Sequence, residues 1–235
     1  MRMRAVLAAA AAAIVLMMPA AAPAPAVAQA QRDWTKVVVA TPEGGFRMGN
    51  PDARIKVVEY GSLTCPHCAR FATQGVPKLV QNYVKSGRVS FELRNFVRNP
   101  HDMAGALLSG CAGAAGFFPM VERIFATQDQ WVAKFGRLSA SEYDALEALP
   151  QTQKLTRIAA IAGFDALAAR HGVPAAKARA CLADEKAIER LVQMRQVAVT
   201  RFGLEGTPTF VIDGRTAKGV SDWGALEPLL RGSGG

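Results

Sequence analysis

The chain has few residues of the kinds that build metal centres, disulfide scaffolds or nucleic-acid surfaces. Its 235 residues include four cysteines, three histidines, three tryptophans and three tyrosines. Four cysteines are too few to staple a chain of this length, and with half of the residues hydrophobic an ordinary core should hold the fold. The formal net charge is +9, but the basic residues are scattered and no basic run is interleaved with aromatic residues. We therefore expect no nucleic-acid partner.

Long apolar runs are also missing, except at the beginning of the chain. Arg2 and Arg4 precede an uncharged apolar segment, residues 5–18, which is short for a bilayer span. An Ala-Val-Ala pattern at residues 26–28 follows, so we predict a secretory signal peptide over residues 1–28. An uncleaved anchor is the alternative, although three prolines between residues 19 and 25 interrupt any longer helix. We expect an exported, periplasmic protein without stable membrane insertion.

The pattern of the remaining chain predicts a mixed α/β fold. We predict strands at 36–40, 55–60, 88–96, 209–212 and 215–217, a loop at 41–50, and helices from residue 65 to 86, 184 to 202 and 221 to 230. The segment from 102 to about 183 is rich in Ala and Leu, contains no convincing strand, and predicts several short helices. This order predicts a small sheet with helices on both faces, interrupted by a helical block. The domain boundaries that follow are 29–100 and 186–235 for a discontinuous domain and 101–185 for a helical insertion.

Finer features of the sequence predict further details of the local structure. Residues 29–35 are expected to form a mobile leader. Residues 88–96 alternate apolar and polar side chains, as a half-buried strand does. Pro77 is expected to kink the first helix, and Gly87 to end it. The last long helix has an apolar face that we predict from its spacing to comprise Ile188, Leu191, Val192, Val199 and Phe202.

A Cys-x-x-C motif, Cys65-Pro66-His67-Cys68, is the strongest chemical signal in the chain. The motif alone is compatible with a zinc half-site, a haem attachment site or a redox pair. Haem attachment needs a histidine directly after the second cysteine, where Ala69 stands, and structural zinc needs a second ligand pair. The motif follows a buried strand and opens a helix, which favours the redox pair.

The beginning of a helix stabilises a thiolate, because its free N–H groups and its dipole favour negative charge. We therefore expect the pKa of Cys65 to lie below the ~8.5 of a free thiol. Pro66 presets the first helical turn, His67 supplies a donor and positive charge when protonated, and Cys68 is the shielded resolving thiol.

Two segments, VVEYGSLTCPHC and GTPTFVIDG, with a helical insertion between them, resemble DsbA-type thiol–disulfide oxidases of the thioredoxin superfamily. This resemblance implies a thioredoxin-like fold with an inserted helical domain. It also implies that Thr207-Pro208 is the family's cis-proline site, which faces the active-site cysteines and binds extended substrate. From the residues alone, an ordinary loop proline at the entry to an edge strand is the alternative. The position of Glu59 implies a proton donor or acceptor for Cys68; a glutamate at a strand end, paired with a nearby lysine, is the alternative.

The other cysteines, Cys111 and Cys181, fall in helical segments. They could be two buried free thiols, which pack as small hydrophobic side chains, or a structural disulfide, which an exported protein favours. Some members of the family that the chain resembles have such a bond. His101 and His171, near Pro or Gly, are expected to have surface or capping roles.

Together these features predict an enzyme that passes a disulfide from Cys65–Cys68 to folding exported proteins with free thiols. No external cofactor and no metal are needed, because the cysteine pair is itself the redox centre. The resemblance implies a membrane quinone-linked reoxidase as partner. Two alternatives stay open: a disulfide reductase or isomerase of the same fold, and a protein that handles copper or zinc through Cys65, His67 and Cys68.

Overall fold

The computed structural model describes residues 32–232, so the predicted signal peptide, residues 1–28, lies outside the described residues. A six-stranded sheet is formed by β1 (Val38–Ala40), β2 (Phe46–Gly49), β3 (Ile55–Gly61), β4 (Val89–Asn95), β5 (Thr209–Ile212) and β6 (Arg215–Thr216). Its order is β1-β2-β4-β3-β5-β6. Only the β3–β4 pair within this sheet is parallel; the other neighbours are antiparallel. The fold is the expected thioredoxin-like α/β arrangement.

The first α-helix begins at the Cys-x-x-C motif, and the others follow between and after the remaining strands in chain order. They are α1 (Pro66–Gln74), α2 (Val76–Leu79), α3 (Pro100–Cys111), α4 (Gly113–Ala126), α5 (Gln128–Phe135), α6 (Ala140–Glu147), α7 (Gln151–Ala162), α8 (Phe164–Arg170), α9 (Ala175–Leu182), α10 (Glu185–Phe202) and α11 (Trp223–Gly232). Residues between β4 and α10 contain helices and no strand, as expected. The last helix begins two residues later than predicted.

The loop predicted at residues 41–50 contains a strand, β2. Phe46 and Met48 of β2 pair with Leu93 and Phe91 of β4 and point into the core, where both are buried. The four-residue strand is too short for a periodic signal and lies among three glycines, which led to the prediction of a loop. The prediction of a mobile leader over residues 29–35 is also wrong at its C-terminal end, because residues 34–36 form a 3₁₀ turn capped by Asp33.

Strand β4 is buried along its whole length rather than on one face. It lies between β2 and β3, and its polar side chains face the side of the sheet on which α10 packs. Arg94 there is bound to Glu92 at 2.7 Å and to the Tyr60 hydroxyl at 3.0 Å. Pairing between polar side chains therefore allows an alternating sequence to be buried on both faces.

The first helical segment divides at Gly75, two residues before Pro77, where we expected a kink. The N–H group of Gly75 still bonds the Phe71 carbonyl oxygen at 2.7 Å, and the Phe71 ring lies so close that a Cβ at Gly75 would be 2.5 Å from it. Pro77 lies in the first turn of the second piece, α2, where a proline is tolerated. Gly87, with φ of 82°, ends the segment as expected.

Helix α10 buries a narrower stripe than predicted. Leu191, Met194 and Ala198 are buried, whereas Val192 and Val199 are 54% and 42% exposed. The buried residues follow the spacing i, i+3, i+7, and the two valines lie to one side of that stripe. On the opposite face of the sheet, Phe71 of α1 packs edge-on against Phe210 of β5, with ring centroids 4.7 Å apart. This contact anchors the motif helix to the sheet.

Candidate active site

Cys65 directly precedes the first residue of α1. It occupies the N-cap position with extended backbone angles, and the Ala69 N–H group donates the first helical bond to its carbonyl oxygen at 3.1 Å. Pro66 and His67 are exposed at the first turn. Cys68, one turn further, is fully buried and the Cys65 side chain is nearly so. The two sulfurs are unbonded, so the structure represents the reduced pair.

The thiol of Cys65 is strongly acidic in this position. Hydrogen bonding to the Cys68 side chain lowers its pKa most, and Thr207 together with the backbone N–H groups of Cys68 and His67 lowers it further. Burial opposes these effects, and the resulting pKa is about 4. These hydrogen bonds, chiefly the one with the Cys68 side chain, hold Cys65 as a thiolate at neutral pH. The backbone N–H groups of the helix start contribute in the direction that the sequence position predicts.

The environment of Cys68 has the opposite effect on its thiol. Burial raises the pKa of Cys68 well above the usual value, and the neighbouring thiol of Cys65 and the carboxylate of Glu59 raise it further. Two cysteines one helical turn apart thus differ in protonation at neutral pH. Cys65 can attack or leave as a thiolate, whereas Cys68 needs a proton acceptor before it can attack.

Glu59 lies on β3 as a buried carboxyl group in the sheet. Its exposed fraction is 1%, and its Oε1 atom has no hydrogen-bond partner among residues 32–232. Burial raises its pKa to about 8, with a further contribution from the charge of Cys65. A lysine-paired Glu59 does not agree with this geometry, and the carboxyl group is protonated at neutral pH next to the resolving thiol.

Thr207 and Pro208 lie beside Cys65 in the loop that leads into β5. The peptide bond between them is cis, as the resemblance implies. When Cys65 is protonated, its thiol donates to the Thr207 carbonyl oxygen, which lies 3.1 Å from the sulfur. The loop before β5 and the helix start at Cys65 therefore meet, so that Cys65, Pro66, His67, Cys68, Glu59, Thr207 and Pro208 form one site.

Asp102 supports this site, and the sequence reasoning missed it. Its carboxylate is 1% exposed and accepts from the Ser62 hydroxyl, from the Thr64 N–H group at 2.8 Å and from the Arg98 N–H group at 2.8 Å. Arg98 also donates through its side chain to Ser62 and to Thr64. Asp102 is in the first turn of α3, where an acid is common, so the sequence carried no signal of its distant partners.

The remaining cysteines and histidines lie in the helical block. Cys111 and Cys181 form a disulfide with an S–S distance of 2.01 Å, joining the end of α3 to α9. His171 occupies the C-cap position of α8, a capping role. His101 is partly buried against Phe135, with ring centroids 4.3 Å apart, so a surface role is wrong for this residue.

Among residues 32–232, no helix is long and apolar enough to cross a bilayer. The same residues contain no group of three or more His, Cys, Asp and Glu side chains placed to hold a metal ion.

The fold and the Cys-x-x-C geometry define the chain's class. The family model described as Thioredoxin matches residues 41–231, and the chain belongs to that family. Among solved structures, a protein-disulfide isomerase from Novosphingobium aromaticivorans is 29% identical with a TM-score of 0.75, covering 80% of this chain and 97% of its own. The alpha-DsbA1 of Wolbachia pipientis is 22% identical with a TM-score of 0.61, covering 83% and 92%, and shares the fold.

A curated relative extends the comparison to a longer protein. A Rickettsia bellii protein named "Putative protein-disulfide oxidoreductase" is 28% identical over 180 residues, which is 76% of this chain. The match covers 61% of that relative, so the chain spans less than two thirds of its length.

Proposed function

We propose that this protein is an exported thiol–disulfide oxidoreductase that oxidises dithiols in folding proteins. The observation that carries the proposal is the position of Cys65 at the start of α1, with hydrogen bonds that lower its pKa to about 4. A stabilised thiolate stabilises the reduced enzyme, so the oxidised enzyme gives up its disulfide readily. The names of the related proteins support the reaction class.

The reaction begins with the oxidised Cys65–Cys68 pair. A substrate thiolate attacks the Cys65 sulfur, the Cys65–Cys68 bond breaks, and a mixed disulfide between substrate and Cys65 forms. Cys68 leaves with the electron pair and takes a proton from Glu59, whose pKa of about 8 lets it supply one. A second substrate thiolate then attacks the substrate sulfur of the mixed disulfide and releases the Cys65 thiolate. Two electrons have passed from substrate to enzyme.

The protein around Cys65 supports substrate positioning. In this proposal Thr207 and Pro208 present a backbone edge beside the mixed disulfide, where an extended substrate segment can pair. The exposed His67 adds a hydrogen-bond donor at the same opening. The reduced enzyme then needs an electron acceptor, and we propose a quinone-linked membrane reoxidase in the periplasm as its partner.

The cysteine roles and the direction of the reaction can be tested together. Cys65→Ser should abolish oxidation of a reduced model peptide, because no sulfur remains for the substrate to attack. Cys68→Ser cannot form the Cys65–Cys68 disulfide. Its Cys65 thiolate should instead attack disulfides of substrates and accumulate as mixed disulfides, because no second enzyme thiol displaces the substrate. The reduction potential, measured by equilibration with glutathione, should be clearly more oxidising than the roughly −270 mV of thioredoxin.

A second candidate is a disulfide isomerase or reductase of the same fold. The similarity to the Novosphingobium protein-disulfide isomerase, which is 29% identical, favours this candidate. An isomerase must be kept reduced, so this candidate predicts rapid rescue of scrambled disulfides by the reduced protein alone. A thioredoxin-like potential together with such rescue would replace the oxidase proposal.

A further inference from the structure

Gln128 is a buried amide in the helical block that reaches the turn before α1. It is the first residue of α5 and its side chain is 5% exposed. Its Nε2 atom donates to the Leu63 carbonyl oxygen at 2.7 Å and to the Cys65 carbonyl oxygen at 3.1 Å. One side-chain amide therefore holds two carbonyl groups of the segment that positions the reactive cysteine.

The second of these bonds acts on the reactive residue itself. The Cys65 carbonyl oxygen already accepts from the Ala69 N–H group, so Gln128 occupies the remaining lone pair of that oxygen. The direction of this carbonyl is coupled to the ψ angle of Cys65, which is 120°. The same ψ angle sets how the first turn of the helix is oriented with respect to the Cys65 sulfur. The N–H groups of that turn must point at the sulfur to stabilise a thiolate.

A second side chain of the block holds the other end of the same segment. Asp102 of α3 accepts from the Ser62 hydroxyl and from the Thr64 N–H group. Gln128 supplies donors where Asp102 supplies acceptors, so the residues from 62 to 65 are held by complementary groups on two helices. Both Asp102 and Gln128 lie outside the strand–turn–helix unit that carries the motif.

We propose that Gln128 is a positioning residue that sets the reactivity of Cys65 by fixing the carbonyl groups on either side of the helix start. The proposal rests on Cys65 being the nucleophilic thiol, but not on whether the protein works as an oxidase or as an isomerase. It gives the helical block a role in tuning the redox centre from a residue 63 positions further along the chain.

The experiment compares Gln128→Met with Gln128→Glu in the full chain. Methionine keeps the length of the side chain and removes both donors, whereas glutamate directs acceptors at two carbonyl oxygens. Gln130, an exposed glutamine on the same helix, provides the matched controls Gln130→Met and Gln130→Glu. Cys68, His67, Glu59 and Thr207, the groups that face Cys65 from α1, β3 and the loop before β5, stay unchanged in all four proteins.

The main readout is the titration of the Cys65 thiolate, followed by its ultraviolet absorbance in the reduced protein. Gln128→Met should move the midpoint upward by about one pH unit, and Gln128→Glu by more. A rise of one unit from a pKa of about 4 should slow alkylation of Cys65 at pH 4 roughly fivefold, because the thiolate fraction falls from about one half to about one eleventh. Both control variants should titrate like the parent. The shift is measured on the thiol itself, so it is informative even if the potential contradicts the oxidase proposal.

A purely structural role makes a different prediction. In that case Gln128→Met lowers the midpoint of urea unfolding but leaves the Cys65 titration unchanged, and this result would overturn the proposal. If Gln128→Met does not fold, Gln128→Asn decides the question, because it keeps the amide but is one methylene too short to hold both carbonyls. A titration of Gln128→Asn shifted upward supports the proposal, and an unshifted one contradicts it.

Discussion

The thiol of Cys65 lies 3.1 Å from the carbonyl oxygen of Thr207, a residue 142 positions further along the chain. This contact joins the helix start that carries the reactive sulfur to the loop on which substrate is proposed to pair. The Thr207 side chain also lowers the pKa of Cys65. Its hydroxyl oxygen is buried without a hydrogen-bond partner among residues 32–232, so the hydroxyl can donate to the thiolate of Cys65. The chemistry of the motif therefore depends on a residue outside the motif.

Removing the Thr207 hydroxyl should make Cys65 less acidic. Thr207→Val keeps the shape of the side chain and deletes its donor, so the pKa of Cys65 should rise by up to about one unit. Thiolate absorbance of the reduced protein against pH measures the change. Thr209→Val, which deletes the nearby hydroxyl bonded to the Gly206 carbonyl oxygen, is the control and should not shift the titration. An unchanged titration of Thr207→Val would contradict the contribution of Thr207.

The dependence of the reduction potential on pH should change slope near pH 4. Above the Cys65 pKa of about 4, reduction of the disulfide takes up one proton, because Cys65 stays a thiolate and Cys68 becomes a thiol. Below it, reduction takes up two. The slope should therefore be about 30 mV per pH unit between pH 5 and 6 and about 59 mV per unit below pH 4. A single slope of about 59 mV down from pH 6 would show that Cys65 is an ordinary thiol.

Glu59 should make the folded protein less stable as the pH rises. Its pKa is about 8 in the folded chain against 4.5 for an exposed glutamate, so between these values the folded state holds a proton that the unfolded state has lost. The free energy of unfolding then decreases with rising pH across this window, and is unaffected below it. Glu59→Gln removes this pH dependence. The free energy of unfolding of the variant minus that of the parent should therefore be larger at pH 8 than at pH 4 by a few kcal/mol.

Urea unfolding of the oxidised protein is the measurement for Glu59, because Cys65 does not titrate in the disulfide. The charge of Cys65 is then absent, but burial, the larger cause of the raised pKa of Glu59, remains. The control is Glu189→Gln, which alters an exposed carboxylate on α10. Parallel curves for the parent and for Glu59→Gln would mean that Glu59 has no raised pKa.

Asp102 should be required for stability because its carboxylate accepts two backbone N–H groups and the Ser62 hydroxyl. Asp102→Asn replaces one acceptor oxygen by a donor that faces the N–H group of Thr64 or of Arg98. We expect a loss of roughly 2–3 kcal/mol in the free energy of unfolding, the cost of an unsatisfied bond to a buried charged group. Denaturation of Asp129→Asn, at an exposed aspartate, gives the baseline. Equal stability of both variants would contradict the assigned network.

The Cys111–Cys181 bond should stabilise the helical block. It joins residues 70 positions apart, for which the chain-entropy model gives an upper value of about 4 kcal/mol. The double variant Cys111→Ala/Cys181→Ala should unfold at lower denaturant concentration while its Cys65 titration stays unchanged. Alkylation of the unreduced parent, followed by mass spectrometry, should find no free thiol at either position; two labelled cysteines would reject the bond.

Local chemistry determined those parts of the protein that the sequence predicts well. Proline at the second position of the Cys-x-x-C motif favours a helix start, because the free N–H groups of a first turn and the fixed φ of proline are properties of a few neighbouring residues. The β5–β6 hairpin was predicted for the same reason. Its turn places Asp213 and Gly214 at φ of 48° and 80°, a conformation that this residue pair adopts readily.

Tertiary structure decided the features that depend on distant contacts. The burial of β4 on both faces follows from its two neighbours in the sheet, and the buried stripe of α10 from the surface on which it packs; neither can be read from periodicity alone. Gln128 reaches the carbonyl of Leu63 across 65 positions of chain, and Asp102 reaches Thr64 across 38. Side chains with ordinary local roles acquire these partners only when the fold brings them together, because a hydrogen bond between remote residues leaves no mark on the sequence around either one.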